Sequence, residues 1–180
     1  MRRIVIAIGL AALSSASPEA TVVIPATLTE LVRDASSVAV GTVVATEVRW
    51  TESRRAVETI VTLSAQRYLK GGLGETVRFR VPGGRLGRYR TIMLGAPEFR
   101  VGQRVIVFLG GRSSEAPHVL GLSQGVFRLV PTDAGWVVTP AGPYTVSASA
   151  TRIVRGDPSR RPMPLAEFER EVRVLVGAGQ

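Results

Sequence analysis

The sequence predicts a mainly β protein, a small antiparallel barrel or sandwich with helices only at its edges, and three observations carry that prediction. Residues 105–109, Val-Ile-Val-Phe-Leu, are apolar at every position, as a strand covered on both faces must be. Several other short segments alternate apolar and polar residues with period two and are separated by Gly-, Pro- and Ser-rich turns. Helical stripes occur twice, near residue 30 and at the end of the chain. At 180 residues and 45% hydrophobic content the chain can bury one ordinary core, so one domain is expected.

In chain order, Met1-Arg2-Arg3, an apolar run over 4–13 and Ser14-Ser15-Ala16 have the layout of a secretory signal peptide cut after Ala16. The run is too short for an ordinary membrane span. The expectation is a leader over 1–16 and a single mature domain over 17–180, periplasmic or extracellular, with no integral membrane span; a retained anchor helix is the alternative. Leu28, Leu31, Val32 and Ala35 form a short helical stripe, with Thr27 as cap and Glu30 as its capping-box partner. Residues 37–50 alternate as a strand with Val38, Val40, Thr42, Val44, Thr46 and Val48 on one side, and Gly41 marks a bulge or a close backbone approach. After the polar turn 51–55, Val57, Val61, Leu63 and Ala65 share a face of a second strand, which pairs with the first as a long hairpin.

Lys70-Gly-Gly-Leu-Gly74 turns the chain into Thr76-Val-Arg-Phe-Arg-Val81, with Val77, Phe79 and Val81 on one face and Arg78 and Arg80 on the other. Residues 82–90 read as a long basic surface loop, and 95–102 as a turn-rich bridge into the central strand. A polar loop over 110–117, short strands at 119–122 and 125–130, a turn at Asp133-Ala-Gly135 and a strand at 136–139 read as a meander. A connector and helix occupy 151–180, the helix following Pro164 with Leu165, Phe168, Val172, Leu175 and Val176 on one stripe. Glu167, Glu169 and Glu171 read as its solvated face.

A five-stranded barrel of the oligonucleotide/oligosaccharide-binding (OB) type is the first expectation for this strand pattern. The run Leu31-Val-Arg-Asp-Ala-Ser-Ser-Val-Ala-Val-Gly-Thr-Val, then Tyr68-Leu-Lys-Gly, then Gly102-Gln-Arg-Val-Ile-Val-Phe-Leu resembles the netrin-like, tissue-inhibitor-of-metalloproteinases pattern. In that pattern a helix leads into an aliphatic strand carrying Gly-x-Val, a second strand ends near Leu-Lys-Gly, and a later strand follows a glycine turn. The resemblance covers about residues 31–109 and implies a netrin-like OB fold. Pro82-Gly-Gly and Gly95-Ala-Pro-x-Phe also resemble a group of exported, uncharacterised bacterial proteins. The resemblance does not carry metalloproteinase inhibition, which in that family uses a disulfide-tethered N-terminal cysteine on the zinc, because this chain has no cysteine.

The absence of cysteine also excludes a disulfide scaffold and thiolate metal sites. One histidine, His118, reads as an exposed loop residue, and Glu98 and Asp133 stand singly in turns, so no metal or cofactor is expected. Gly121-Leu-Ser123-Gln-Gly125 matches the nucleophile elbow of serine hydrolases, but that elbow needs a helix after the serine and a histidine downstream. Here a strand follows and His118 lies upstream. Arg155-Gly-Asp157 reads as a chance tripeptide in an Arg- and Gly-rich chain.

Charge is the feature above background. Removing 1–16 takes away two arginines and no acid, lowering the net charge from +9 to +7. Residues 78–104 hold seven arginines against Glu98 alone, a net +6. The candidate binding residues are therefore Arg78, Arg80, Arg85, Arg88, Tyr89, Arg90 and Arg100, with the expectation that strand and loop share a face and that Tyr89 stacks on the ligand. Arginines that guard a solvated edge against aggregation are the plainer alternative. The functional expectation is a non-enzymatic exported binding module acting on a protein partner, such as an extracellular protease. Its alternative is a binder of anionic polymer: acidic glycan, lipopolysaccharide or nucleic acid. A hydrolase using Ser123 is a distant third.

Overall fold

The structure, a computed structural model, describes residues 26–111, 116–141 and 161–179. The expected leader, Arg155-Gly-Asp157 and most of the 151–164 connector lie outside the described residues. The fold is mainly β. Its elements are α1 (Leu28–Asp34), β1 (Ser37–Trp50), β2 (Val57–Lys70), β3 (Thr76–Pro82), β4 (Gly84–Leu86), β5 (Tyr89–Thr91), β6 (Arg104–Gly110), β7 (His118–Val119), a 3-10 turn (Leu122–Gly125), β8 (Val126–Thr132), β9 (Gly135–Pro140), β10 (Met163–Pro164) and α2 (Leu165–Ala178).

Strand β1 pairs with β2 along its whole length and with β6 through its first half, so the order β1-β2-β3-β7-β6 returns to β1 and the sheet closes as a ring. The closing contact is parallel, between Arg80 of β3 and His118 of β7; all other pairings are antiparallel. Strands β8, β9 and β10 extend the sheet from the far edge of β6.

Strand β6 divides two cores. Val105, Val107 and Leu109 point into the ring with Val43, Val61, Leu63, Val77, Phe79 and Val81. Ile106 and Phe108 point the other way, against Leu31 and Val32 of α1 and Phe168 and Val172 of α2. All five β6 side chains are fully buried, as the unbroken apolar run requires. Phe127 stacks obliquely between Phe108 and Phe168, with centroids 5.7 and 4.8 Å away.

Local chemistry sets the edges. Thr27 caps α1: the Glu30 N–H donates to Thr27 Oγ1 at 3.2 Å and the Thr27 N–H donates to Glu30 Oε2 at 2.7 Å. Those bonds hold the Glu30 carboxyl below the usual carboxylate range. Lys70 Nζ closes the other end, donating to the carbonyls of Val32 and Arg33 at 2.7 and 3.1 Å. Gly41 lies at a register shift, and a Cβ there would stand 2.2 Å from the Ser64 carbonyl oxygen. Through the first half of β1 the expected alternation holds, Val38 and Val40 facing the helices and Ala39 and Val43 the ring; the shift between Val43 and Ala45 leaves Val44 unpaired and breaks the alternation beyond it.

Other expectations need correction. Residues 82–90 are not an open loop, because β4 and β5 form a two-stranded hairpin within them. The strand expected at 119–122 is only β7, and the chain then enters the 3-10 turn. There is no simple meander: β7 and β8 both line β6, and only β8 and β9 form a hairpin. His118 is exposed as expected, but in a strand. Glu169 is buried, unlike exposed Glu167 and Glu171, because Arg67 Nε reaches its carboxylate at 2.8 Å and Arg173 Nη2 at 3.2 Å.

Candidate functional site

The β4–β5 hairpin lies across the far end of the β1–β2 ribbon, on the side that faces into the ring. Val48, Thr59 and Val81 occupy register-matched positions on that side, and Thr59 Oγ1 donates to the Gly83 carbonyl at 2.8 Å. Gly84 sits so close that a Cβ would come within 2.9 Å of both Val48 and Thr59, so only glycine lets the hairpin seat here. Val57 N–H donates to Thr91 Oγ1 at 3.0 Å, tying down the return strand. At the tip the Tyr89 ring meets Trp50 edge-on, with centroids 4.9 Å apart and planes at 65°. Arg88 donates to the Tyr89 hydroxyl at 2.9 Å, and its guanidinium carbon stands 5.1 Å from the ring centroid.

The hairpin register puts Arg85 directly opposite Arg90. Like charges at directly paired positions repel. The adjoining β1–β2 turn contributes exposed Arg54 and Arg55 together with exposed Glu52. Among the described residues, Arg54, Arg55, Arg85, Arg88 and Arg90 form no salt bridge. This end of the molecule therefore carries unneutralised positive charge beside two half-exposed aromatic rings.

The structure does not bring all the expected residues to this surface. Arg78 and Arg80 project from the opposite, outer face of β3. There Arg78 pairs with Glu47 at 3.4 Å, beside an Arg49–Glu58 pair at 3.0 Å. Arg80 lies half-buried opposite Ile60 and is not free. Arg100 is exposed in the bridge that returns to β6. The sequence reading missed Arg54, Arg55 and Trp50. An Arg-Arg pair at a hairpin turn is visible in the sequence, but the Trp50–Tyr89 contact that links the end of this hairpin to β5 is tertiary.

Two further places gather polar or charged side chains. Ser123 is buried in the 3-10 turn, its N–H donates to the Gly95 carbonyl at 2.9 Å, and the chain leaves that turn as β8, not as a helix. The strand-turn-helix geometry of a nucleophile elbow is therefore missing. A cleft of about 320 Å³ lies between β9 and α2, lined by Arg67, Trp136, Pro164, Leu165 and Glu169. Its two charged groups neutralise each other. Among the described residues no group of three or more His, Asp or Glu side chains could hold a metal ion, and no helix is long and apolar enough to cross a membrane. No family model, curated protein or solved structure matches the chain.

Proposed function

We propose that this protein is an exported, non-enzymatic binding module built on an OB-like barrel, and that it takes an anionic partner at the hairpin end. The carrying observation is the Arg85–Arg90 cross-strand pair, two like charges placed directly opposite each other and, among the described residues, without a salt bridge to relieve them. An anionic ligand placed between the two guanidinium groups turns that repulsion into paired charge-assisted hydrogen bonds. Export is proposed on the leader-like pattern expected over residues 1–16. The OB-like assignment is supported by the ring order, with the third and fifth ring strands meeting in parallel, and by the place of the charge. In OB barrels the second and third strands and the loop between the first and second carry ligands, and here that loop holds Arg54 and Arg55 beside the hairpin.

A folded protein partner is the second reading. It is favoured by the Trp50–Tyr89–Arg88 cluster, a pre-packed group of the residue types that dominate protein interfaces. Heparin affinity measured at two salt concentrations separates the two. With a polyanion, affinity falls steeply with salt and alanine at Arg85, Arg88 or Arg90 removes comparable increments. With a protein partner, Tyr89→Ala or Arg88→Ala dominates and salt matters less. A triple Arg85/Arg88/Arg90→Ala variant that binds heparin and co-purifying proteins as the parent does would refute both readings.

A further inference from the structure

The chain leaving β5 does something that a site for a soluble polyanion does not require. Ile92, Met93 and Leu94 follow in succession and are 67%, 47% and 60% exposed. They ride on a tight turn: the Ala96 N–H donates to the Met93 carbonyl at 3.1 Å, and Gly95, with φ +85°, supplies the left-handed third position. Leu94 thus stands at the outer corner of the turn. Such corners ordinarily carry polar residues, and three adjacent large apolar side chains displayed there mark an interaction surface.

The triplet belongs to the same end of the molecule as the unpaired arginines. Arg90 precedes Ile92 by two residues, and a Cβ on Gly83, at the root of the hairpin, would lie 3.8 Å from Met93 Cβ. Trp50 and Tyr89, 36% and 47% exposed, pack on each other at the hairpin, Tyr89 three residues before Ile92. Exposed aliphatic side chains, amphipathic aromatic rings and unneutralised guanidinium groups are thus gathered in one region. That combination matches a bilayer boundary: acyl chains accept the aliphatics, the headgroup level accepts Trp and Tyr, and anionic headgroups accept arginine. A soluble glycan or nucleic acid would answer the charge and leave the aliphatic turn in water.

Resting on the anionic-partner reading above, we infer that the hairpin end is a peripheral docking surface for an anionic lipid bilayer, with Ile92, Met93 and Leu94 entering the acyl boundary and Arg85, Arg88 and Arg90 holding the headgroups. The test uses the full-length protein with phosphatidylcholine vesicles, with and without phosphatidylglycerol, and with heparin in parallel. The parent is expected to partition onto the anionic vesicles far more strongly than onto the neutral ones. Ile92→Ser/Met93→Ser/Leu94→Ser is expected to weaken vesicle binding by about tenfold or more while leaving heparin affinity unchanged. Arg85→Ala/Arg88→Ala/Arg90→Ala is expected to lose about a hundredfold on vesicles and to lose heparin as well. In a Trp136→Phe background, brominated acyl chains are expected to quench Trp50, which reports this end of the molecule whatever the leader does. Ile92→Ser alone, at the most exposed position, serves if the triple serine variant misfolds.

Heparin binding without vesicle binding overturns the lipid inference and leaves the anionic-partner reading standing. Loss of both in the parent overturns both. Unquenched Trp50, or serine variants that bind vesicles as the parent does, also overturns the lipid inference. So does a parent that sediments as a dimer and becomes a monomer in the serine variants, because the turn then docks on a second copy of this chain.

Discussion

Strand β6 and the β4–β5 hairpin are both short, and both sit among glycine turns, yet they are opposites. Every side chain of β6 from Val105 to Leu109 is buried, three into the ring and two against the helices. In the hairpin, Arg85, Arg88, Tyr89 and Arg90 are all exposed, like charges face each other, and the following turn displays aliphatics to water. The first region has no unmet interaction and the second has several. Stability and the proposed recognition are thus separated in space, so that substitutions in one region are expected to leave the other region's property intact.

Phe108→Asp breaks the contrast most directly, because a carboxylate without a partner would enter a region buried on both sides. The cost is of the order of the whole stability of a small domain, several kcal/mol, and a thermal melt is expected to show no cooperative transition. Gly41→Ala comes next. Its Cβ would stand 2.2 Å from a backbone oxygen, so the β1–β2 ribbon must shift, with a loss of about 1–3 kcal/mol in denaturant titration. Glu169→Ala strips two arginines of their shared partner and is expected to cost about 1–3 kcal/mol. A double-mutant cycle with Arg67→Ala isolates the part carried by that pair.

Thr27→Ala removes the α1 cap and is expected to cost about 1 kcal/mol. The same cap has a pH signature. Because Glu30 titrates below its ordinary range when folded, its contribution is present above the unfolded value and fades as pH falls through the folded one. Glu30→Gln is therefore expected to flatten the acid limb of the stability profile and to lower stability slightly at neutral pH, where the carboxylate's contribution is in force, which a pH series of melts checks. At the small end, the triple arginine variant of the hairpin is expected to melt at or slightly above the parent temperature, since it relieves a like-charge pair worth about 0.2–1 kcal/mol. A clear drop in melting temperature would show that the hairpin arginines hold the fold and would erase the contrast with β6.

What the sequence disclosed divides along the same line. The central strand was legible because five consecutive apolar residues admit one environment, and α1 because its capping box is complete within four residues. The α2 stripe was legible for the same local reason. Arg85, Arg88, Tyr89 and Arg90 were found as a set because they are neighbours in sequence. Long-range information was not available: Gly83 and Gly84 read as loop residues, and only the Val48–Thr59 surface shows them to be seating points for a hairpin. Arg78 and Arg80 were grouped with the hairpin by proximity in the chain, whereas the pleat sends them to the outer face. Glu169 resembled its solvated neighbours until Arg67, 102 residues away, came to meet it.

Lys70 has a use outside the fold. It is the one lysine in a chain with 22 arginines, and its ammonium is engaged by the last carbonyls of α1. Apart from the terminal amine, an amine-selective reagent has a single place to attack, a half-buried ammonium held by two carbonyls of α1. The rate at which Lys70 is labelled is therefore expected to rise in a variant that loosens α1, such as Thr27→Ala, and so to report the helix end without an introduced probe.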